Sequence, residues 1–298
     1  MTGDLLKRVL KAWRYLSWNI NRMFRSSVTI STKQGVFKIF LASHEFVGKS
    51  LYCTGEFELE LMSGSMDFLR SIEKCPPKGQ GTILDVGANN GVSSIGMLYT
   101  GEFEKAIAVE PEPQNFSLLQ HNVSLNNLGQ RIAVLPFAAS DRKGEISFEL
   151  SKDNFGDHRV RTGDDIADSD TPELYHESER KVISVQADQL DDILVNVPES
   201  FTQNIAVMWI DVQGFEGYAF MGARKLLSKG IPVVSEIWPY GLRRAGMSQE
   251  QFCSIVSEFW QHYWVMRDNE FVQYEIDQFA SLIEELGYDR NHCNVIFT

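Results

Sequence analysis

Residues 83–97 read ILDVGANNGVSSIGM, an apolar run that stops on Asp85 and tips into a turn spaced by Gly87 and Gly91. A second run of small and apolar residues follows at once. Two glycines four apart let backbone approach a ligand closely and bend into the next helix. Around this stretch the chain alternates regularly. TILDV, KAIAVE, IAVLPFAA, AVMWIDV and IPVVSEIW read as buried parallel strands, with helical patterns at 91–100, 114–126 and 215–229 between several of them. That alternation is the pattern of a doubly wound α/β sheet, whose ligands sit beyond the carboxyl ends of the strands. Two more β-like runs, GEISFEL and KVISVQA, flank residues 152–180. The tail offers helices near 248–260 and 277–286, the run YWVMRD and a final strand NVIFT.

The nicotinamide fingerprint wants glycine at the first, third and sixth positions of such a turn; here the third is Asn89. Without that middle glycine a pyrophosphate cannot press as closely on the helix start, so the turn suits a nucleoside lacking one. The next strand, KAIAVEPEP, ends on Glu110, 25 residues after Asp85. A carboxylate there is positioned to accept hydrogen bonds from both ribose hydroxyls.

The totals bound the rest. The chain has 298 residues, 43% hydrophobic and 23% charged, with a mean hydropathy of −0.20, an ordinary soluble composition. No stretch approaches the roughly 18 apolar residues of a membrane span, and no secretory leader is legible. Cys53, Cys75, Cys253 and Cys293 are widely spaced and read as reduced thiols of a cytoplasmic protein. A net charge of −12 argues against nucleic acid as a partner. That charge is uneven: residues 1–25 hold six Lys or Arg against Asp4 alone, net +5, which leaves −17 for the remainder. In the same segment Leu6, Val9, Trp13, Leu16, Ile20 and Phe24 form one apolar stripe at helical spacing. The reading adopted is a helix packed on its own domain or on a dimer mate; a helix on an anionic membrane surface is the alternative. Residues 28–62 begin with β-like runs, VFKIFLA and SLYC, and turn helical through FELELMSGSMDFLRSIEK. The segment 152–180, poor in large apolar residues and rich in carboxylates, is expected to be a solvated lid or surface loop.

Taken together, ILDVGANNGVSS, AVEPEPQNFSLLQHNVSLNN, PFAASDRKGEISF, WIDVQGFEGYAFMGARKLL and VVSEIWP resemble the FkbM family of S-adenosylmethionine-dependent O-methyltransferases over roughly residues 55–240. The resemblance implies the class I methyltransferase (Rossmann-like) fold: a seven-stranded sheet, parallel except for one strand, with helices on both faces. This domain would span 81–298, preceded by a basic helix (1–27) and a β/helix extension (28–80). Carried over by position, the resemblance assigns Asp85, Gly87, Asn89 and Gly91 to the methionine and ribose side of the cofactor and Glu110 to the ribose hydroxyls. Ala139 and Ser140 would lie along the adenine. Asp141 would reach the purine amine or cap its turn. Glu58 or Glu60 matches an acid upstream of the glycine turn. Where the family usually has an acid, this chain has Gln213, which cannot accept a proton at neutral pH, so an orienting role is expected.

Transfer of a methyl group to oxygen needs alignment above all, and a base to take the hydroxyl proton. Asp211, ending VMWID, is the first candidate, with Glu236 in VVSEIWP or His158 in the loop behind it. Asp211 and Glu236 together could also hold a divalent metal, though no third ligand is legible. The acceptor implied by the resemblance is a hydroxyl of a sugar, glycan or polyketide-type compound. Aromatics in EIWPYGLRR are placed to stack on a sugar, and Arg243 and Arg244 to meet a phosphate or carboxylate. Two rivals remain: a nicotinamide-dependent oxidoreductase on the same half-sheet, and an inactive methyltransferase-like binding module.

Overall fold

The computed structural model describes residues 2–152, 154–162 and 174–298, with side chains from residue 12 onward. The chain opens with helix α1 (Thr2–Phe24), the hairpin β1 (Ser27–Thr32) and β2 (Gly35–Phe40), and helices α2 (Phe46–Thr54) and α3 (Leu59–Ser71). Strands and helices then alternate: β3 (Thr82–Val86), α4 (Val92–Tyr99), β4 (Lys105–Val109), α5 (Pro113–Leu125), β5 (Ile132–Leu135). An inserted unit follows, with β6 (Ala138–Ala139), β7 (Gly144–Leu150), β8 (Arg159–Val160) and β9 (Lys181–Asp188). After short helices α6 (Leu190–Ile193) and α7 (Glu199–Thr202) come β10 (Ile205–Ile210), α8 (Glu216–Met221), α9 (Arg224–Leu227), β11 (Val233–Ile237) and α10 (Pro239–Arg244). Helix α11 (Gln249–Phe259), strands β12 (His262–Arg267) and β13 (Glu270–Glu275), helix α12 (Phe279–Leu286) and β14 (Cys293–Phe297) complete it.

Eight strands form one mixed sheet in the order β13-β12-β14-β11-β10-β3-β4-β5, of which β11, β10, β3, β4 and β5 pair in parallel. This corrects the expected seven strands with a single reversal. Both β14 and β13 run against their neighbours, and β13 is an eighth strand at the edge. The β12–β13 hairpin turns through Asp268 and Asn269, both at positive φ (50° and 67°), residue types that tolerate this conformation in a two-residue turn.

The central strands bury both faces. Ile83, Ala106, Ala108, Val207 and Trp209 join one apolar core, while Leu84, Ile107, Val109, Met208 and Ile210 join the other. The first core also takes in Trp18, Phe37, Ile39, Leu51, Met62 and Met66, so the N-terminal elements complete one face of the sheet. The second is closed by α8, α9, α11 and α12 through residues such as Phe220, Leu226, Phe252 and Phe279.

Several local expectations change. IAVLPFAA is not one strand: Pro136, lacking an N–H, ends β5, and Ala138–Ala139 pair with β9 in a separate four-stranded sheet, β6-β9-β7-β8. SLYC lies inside α2, where the Glu45 side chain caps the helix by accepting from Gly48 N at 2.9 Å. The helix expected over 215–229 breaks into α8 and α9 at Gly222, where a Cβ would lie 1.9 Å from the Ser140 carbonyl oxygen.

The apolar stripe of α1 does not face the domain. Trp18 is the fully buried residue, its ring edge-on to Tyr52 at 5.5 Å, while Trp13, Leu16, Ile20 and Phe24 are exposed. Leu6 and Val9 belong to the stripe by sequence, but their side chains lie outside those described.

The segment 152–180 is also not the solvated excursion expected, as far as it is described; residues 153 and 163–173 lie outside. Arg159, Arg180, Glu149, Asp157 and Glu177 form a buried ion-pair network. The Arg159 guanidinium is stacked on Trp238 at 4.9 Å.

Candidate active site

The parallel register brings Val86, Val109 and Ile210 level, so Gly87, Glu110 and Asp211 leave the sheet from one rim. Gly87, at φ 86°, allows the first turn to pass against the fourth central strand: a Cβ there would lie 1.9 Å from the Asp211 carbonyl oxygen. Over this rim opens a cleft of about 930 Å³, open solvent at its mouth included.

Of the residues selected from the sequence, Glu58, Asp85, Gly87, Asn89, Glu110, Ala139, His158 and Asp211 line this cleft together. The alternative Glu60 is exposed in the first turn of α3. Gly91 stands behind the wall, capping the start of α4 at φ 88°, where a Cβ would lie 2.6 Å from Leu119 Cδ1. Ser140 and Asp141 also lie behind it. Ser140 donates to Asp141 Oδ1 at 3.1 Å, and Gln189 Nε2 donates to the Asp141 carbonyl at 2.7 Å, so Asp141 belongs to a braced turn. Glu236 sits one residue back from the cleft, joined to it through Gln213.

Glu110 is held in place by the backbone. Its Oε2 accepts from Asn89 N and its Oε1 from Glu112 N, both at 2.8 Å. Asn89 takes a left-handed conformation (φ 49°) that turns its N–H toward this carboxylate. Each oxygen keeps a second lone pair for a ligand donor. Burial nevertheless pushes the Glu110 carboxyl up to about 8. Asp85 uses Oδ2 to accept from both the backbone and the hydroxyl of Ser94, fixing α4 to β3. Burial raises it to about 6. Glu58 opens onto the cleft yet is ringed by protein, and desolvation followed by the Asp211 charge raises it to about 7.

Gln213 lies at a non-glycine left-handed position, φ 54°, and its Nε2 donates to Asp211 Oδ1 at 2.7 Å and to Glu236 Oε2 at 3.2 Å. One neutral amide thus holds two carboxylates that would otherwise repel. The turn is pinned by Glu216, whose Oε1 accepts from Val212 N and Gly214 N at 3.1 and 3.2 Å. Burial raises both Asp211 and Glu236 above the usual carboxylate range. Among the described residues no group of three His, Cys, Asp or Glu is arranged to hold a metal ion.

His158 reaches the cleft wall, but its Nδ1 accepts from Ser151 N at 3.0 Å, and burial lowers it to about 4. A neutral ring with Nδ1 engaged carries its proton on Nε2, so it presents a donor rather than a base.

Sequence reasoning did not find the strap beside it. Phe155 lines the cleft; its N–H donates to Glu45 Oε2 at 3.0 Å, and its carbonyl accepts from Asn115 Nδ2 at 2.9 Å. Its ring lies 4.9 Å from Phe40. Nothing local in the sequence linked Glu45, the cap of α2, to Phe155. The apolar wall of Phe137, Ala138 and Ala139 was visible only as the run PFAAS.

The family model described as Methyltransferase FkbM domain matches residues 85–290, which contain most of this rim. The chain belongs to the FkbM methyltransferase family. A relative, 2-O-methyltransferase NoeI of Sinorhizobium fredii (strain NBRC 101917 / NGR234), is 28% identical over 173 residues, covering 56% of this chain and 67% of that protein. Among solved structures, methyltransferase FkbM from Methylobacillus flagellatus KT is 16% identical with a TM-score of 0.42, covering 74% of this chain and 44% of that one. Trm5b from Pyrococcus abyssi is 10% identical, also with a TM-score of 0.42, over 92% of this chain and 55% of that one. The chain therefore spans less than two thirds of the length of either of these solved chains. Membership in the FkbM family makes methyl transfer the frame within which the cleft is interpreted.

Proposed function

We propose that this FkbM-family protein transfers the methyl group of S-adenosylmethionine to a hydroxyl oxygen of a sugar, glycan or polyketide-type small molecule. The observation that carries this reading is one continuous cleft with Glu110 at the tip of β4 and Asp211 at the tip of β10. The residues present fit the cofactor. Glu110 offers two anchored oxygens to ribose hydroxyls, Phe137, Ala138 and Ala139 form an apolar face for a purine, and Glu58 and Asp85 supply negative potential for a cationic methionyl group. When bound, the cofactor supplies an activated methyl on sulfur.

The chain's own part is alignment and proton removal. Asp211 takes the proton of the acceptor hydroxyl, worth about 10²–10⁴-fold in rate. Gln213 keeps the Asp211 carboxylate turned toward the cleft and separates it from Glu236. The hydroxyl acceptor is further supported by the name of the Sinorhizobium relative, an O-methyltransferase.

Calorimetry with S-adenosylhomocysteine and, separately, with NAD tests the cofactor. Binding of the first and not the second is expected, and tight binding of NAD alone would overturn the reading. Binding of S-adenosylhomocysteine with no turnover over a wide panel of hydroxyl acceptors would instead point to a binding module.

A further inference from the structure

The cleft is lined by the carboxyls of Glu58, Asp85, Glu110 and Asp211, and among the described residues no lysine or arginine joins them. They come from separate elements: Glu58 from the residue before α3, Asp85 from β3, Glu110 from the tip of β4 and Asp211 from the tip of β10. Asp85 is 2% exposed, yet only its Oδ2 is engaged, by the backbone and hydroxyl of Ser94. Its Oδ1 meets no donor among the described residues and is not sealed in the interior, so a buried acid keeps a bare oxygen on the cleft. A bare carboxylate oxygen in such surroundings calls for a positive ligand.

Beyond burial, the Asp211 charge acts on Glu58, Asp85, Glu216 and Glu236 and raises each of them. The acids therefore crowd around the tip of β10, where Asp211 stands to take the acceptor proton. Facing the same tip are His292, before β14, and Asp157, which is itself paired with Arg159 and Arg180; both act on Asp211. His158, held low by burial and by Arg180, is neutral. Carboxyls gathered in this way retain protons that an incoming cation displaces.

Methyl transfer to a hydroxyl consumes a positive charge. The carbon–oxygen bond forms as the carbon–sulfur bond breaks, the electron pair of the broken bond stays on sulfur, and the hydroxyl proton goes to Asp211. We propose, resting on the methyl-donor reading above, that the carboxyls of Glu58, Asp85, Glu110 and Asp211 make the cleft selective for the sulfonium over the neutral thioether. Transfer of the methyl group then itself loosens the hold on the spent cofactor. Sulfonium binding displaces protons from the carboxyls, and thioether binding does not.

Calorimetry without acceptor tests it, using S-adenosylmethionine, S-adenosylhomocysteine and sinefungin, which carries an ammonium in place of the sulfonium. Near pH 7 both cations should bind at least about tenfold more tightly than S-adenosylhomocysteine, the equivalent of one carboxyl shifted by one pKa unit. The gap should narrow as pH falls toward about 5.5 and the carboxyls fill with protons. Titrations in two buffers of different ionisation heat should show proton release with the cations alone. Glu58→Gln keeps the side-chain shape and should shrink the gap with S-adenosylhomocysteine affinity unchanged; Asp85→Asn is the second variant. Equal affinities, a tighter hold on S-adenosylhomocysteine, or a full gap in both variants would overturn the proposal and leave the methyl-donor reading standing. So would a gap that sinefungin does not share, because the methyl group and not the charge would then be recognised. Binding of none of the three would remove the methyl-donor reading itself.

Discussion

Glu110 has both oxygens anchored by backbone N–H groups and its proton affinity raised by burial, a balance that favours the anion once ligand hydroxyls add further donors. Glu110→Ala is therefore expected to weaken S-adenosylhomocysteine binding by about 1–3 kcal/mol. Unchanged affinity by calorimetry would remove Glu110 from the ribose. At the other tip, Asp211→Asn should leave cofactor affinity intact while turnover falls about 10²–10⁴-fold; equal rates would clear Asp211 of the proton transfer. Gln213 is informative because its neutral amide bridges two carboxyls, and glutamate would change that charge while keeping the side-chain length. Gln213→Glu would put a third carboxyl between Asp211 and Glu236, and like charges there must raise the proton affinity of the group. The acid limb of the rate profile should move to higher pH, with cofactor affinity little changed. A profile superimposable on the parent's would mean that the bridge does not tune Asp211.

At the scale of elements, α5 joins two parts of the molecule by side chains acting as a strand edge. Asn122 and Asn126, one turn apart, accept from Lys38 N and Val36 N at 2.8 Å and donate back to the carbonyls of the same residues. They thereby satisfy the outer backbone groups of β2. Asn122→Ala would leave the partly buried Lys38 N–H unpaired, at a cost of about 1–3 kcal/mol, read as a lower melting temperature; a parent-like melt would show that water replaces the amide. The strap at Phe155 uses the same device across greater distance, reaching Glu45 on one side and Asn115 on the other. It explains how residues poor in apolar content can still close a cleft wall: their backbone is fixed by acids and amides from α2 and α5.

For the whole molecule, the gathering of carboxyls on one rim has a consequence for stability. Glu58 and Glu216 are raised to about 7 and Glu110 to about 8, above an ordinary 4.5. Between their ordinary and raised values the folded protein holds protons that the unfolded chain has lost, so stability falls as pH rises through that window. His158, lowered to about 4 from 6.5, acts in the opposite sense, but only below 6.5. Ligand-free protein is thus expected to melt at a lower temperature at pH 8.5 than at pH 6.5. A melting temperature constant or rising over that interval would contradict the buried-acid description of the cleft.

The central strand runs, the glycine turn after Asp85 and the acids at the tips of β4 and β10 were legible in the sequence, because strand runs, turn glycines and strand-end charges are set by near neighbours. Period alone also proposed the α1 stripe, yet left it to pack on the domain or on a dimer mate; only the docked Trp18 and the Tyr52 hydroxyl decide which face the domain covers. Choosing Glu58 over Glu60, bridging Asp211 to Glu236 through Gln213, and closing the cleft with Phe155 likewise waited for the fold. Those contacts join residues 23 to 110 positions apart, where pairing follows from the packing of elements and leaves no periodic trace along the chain.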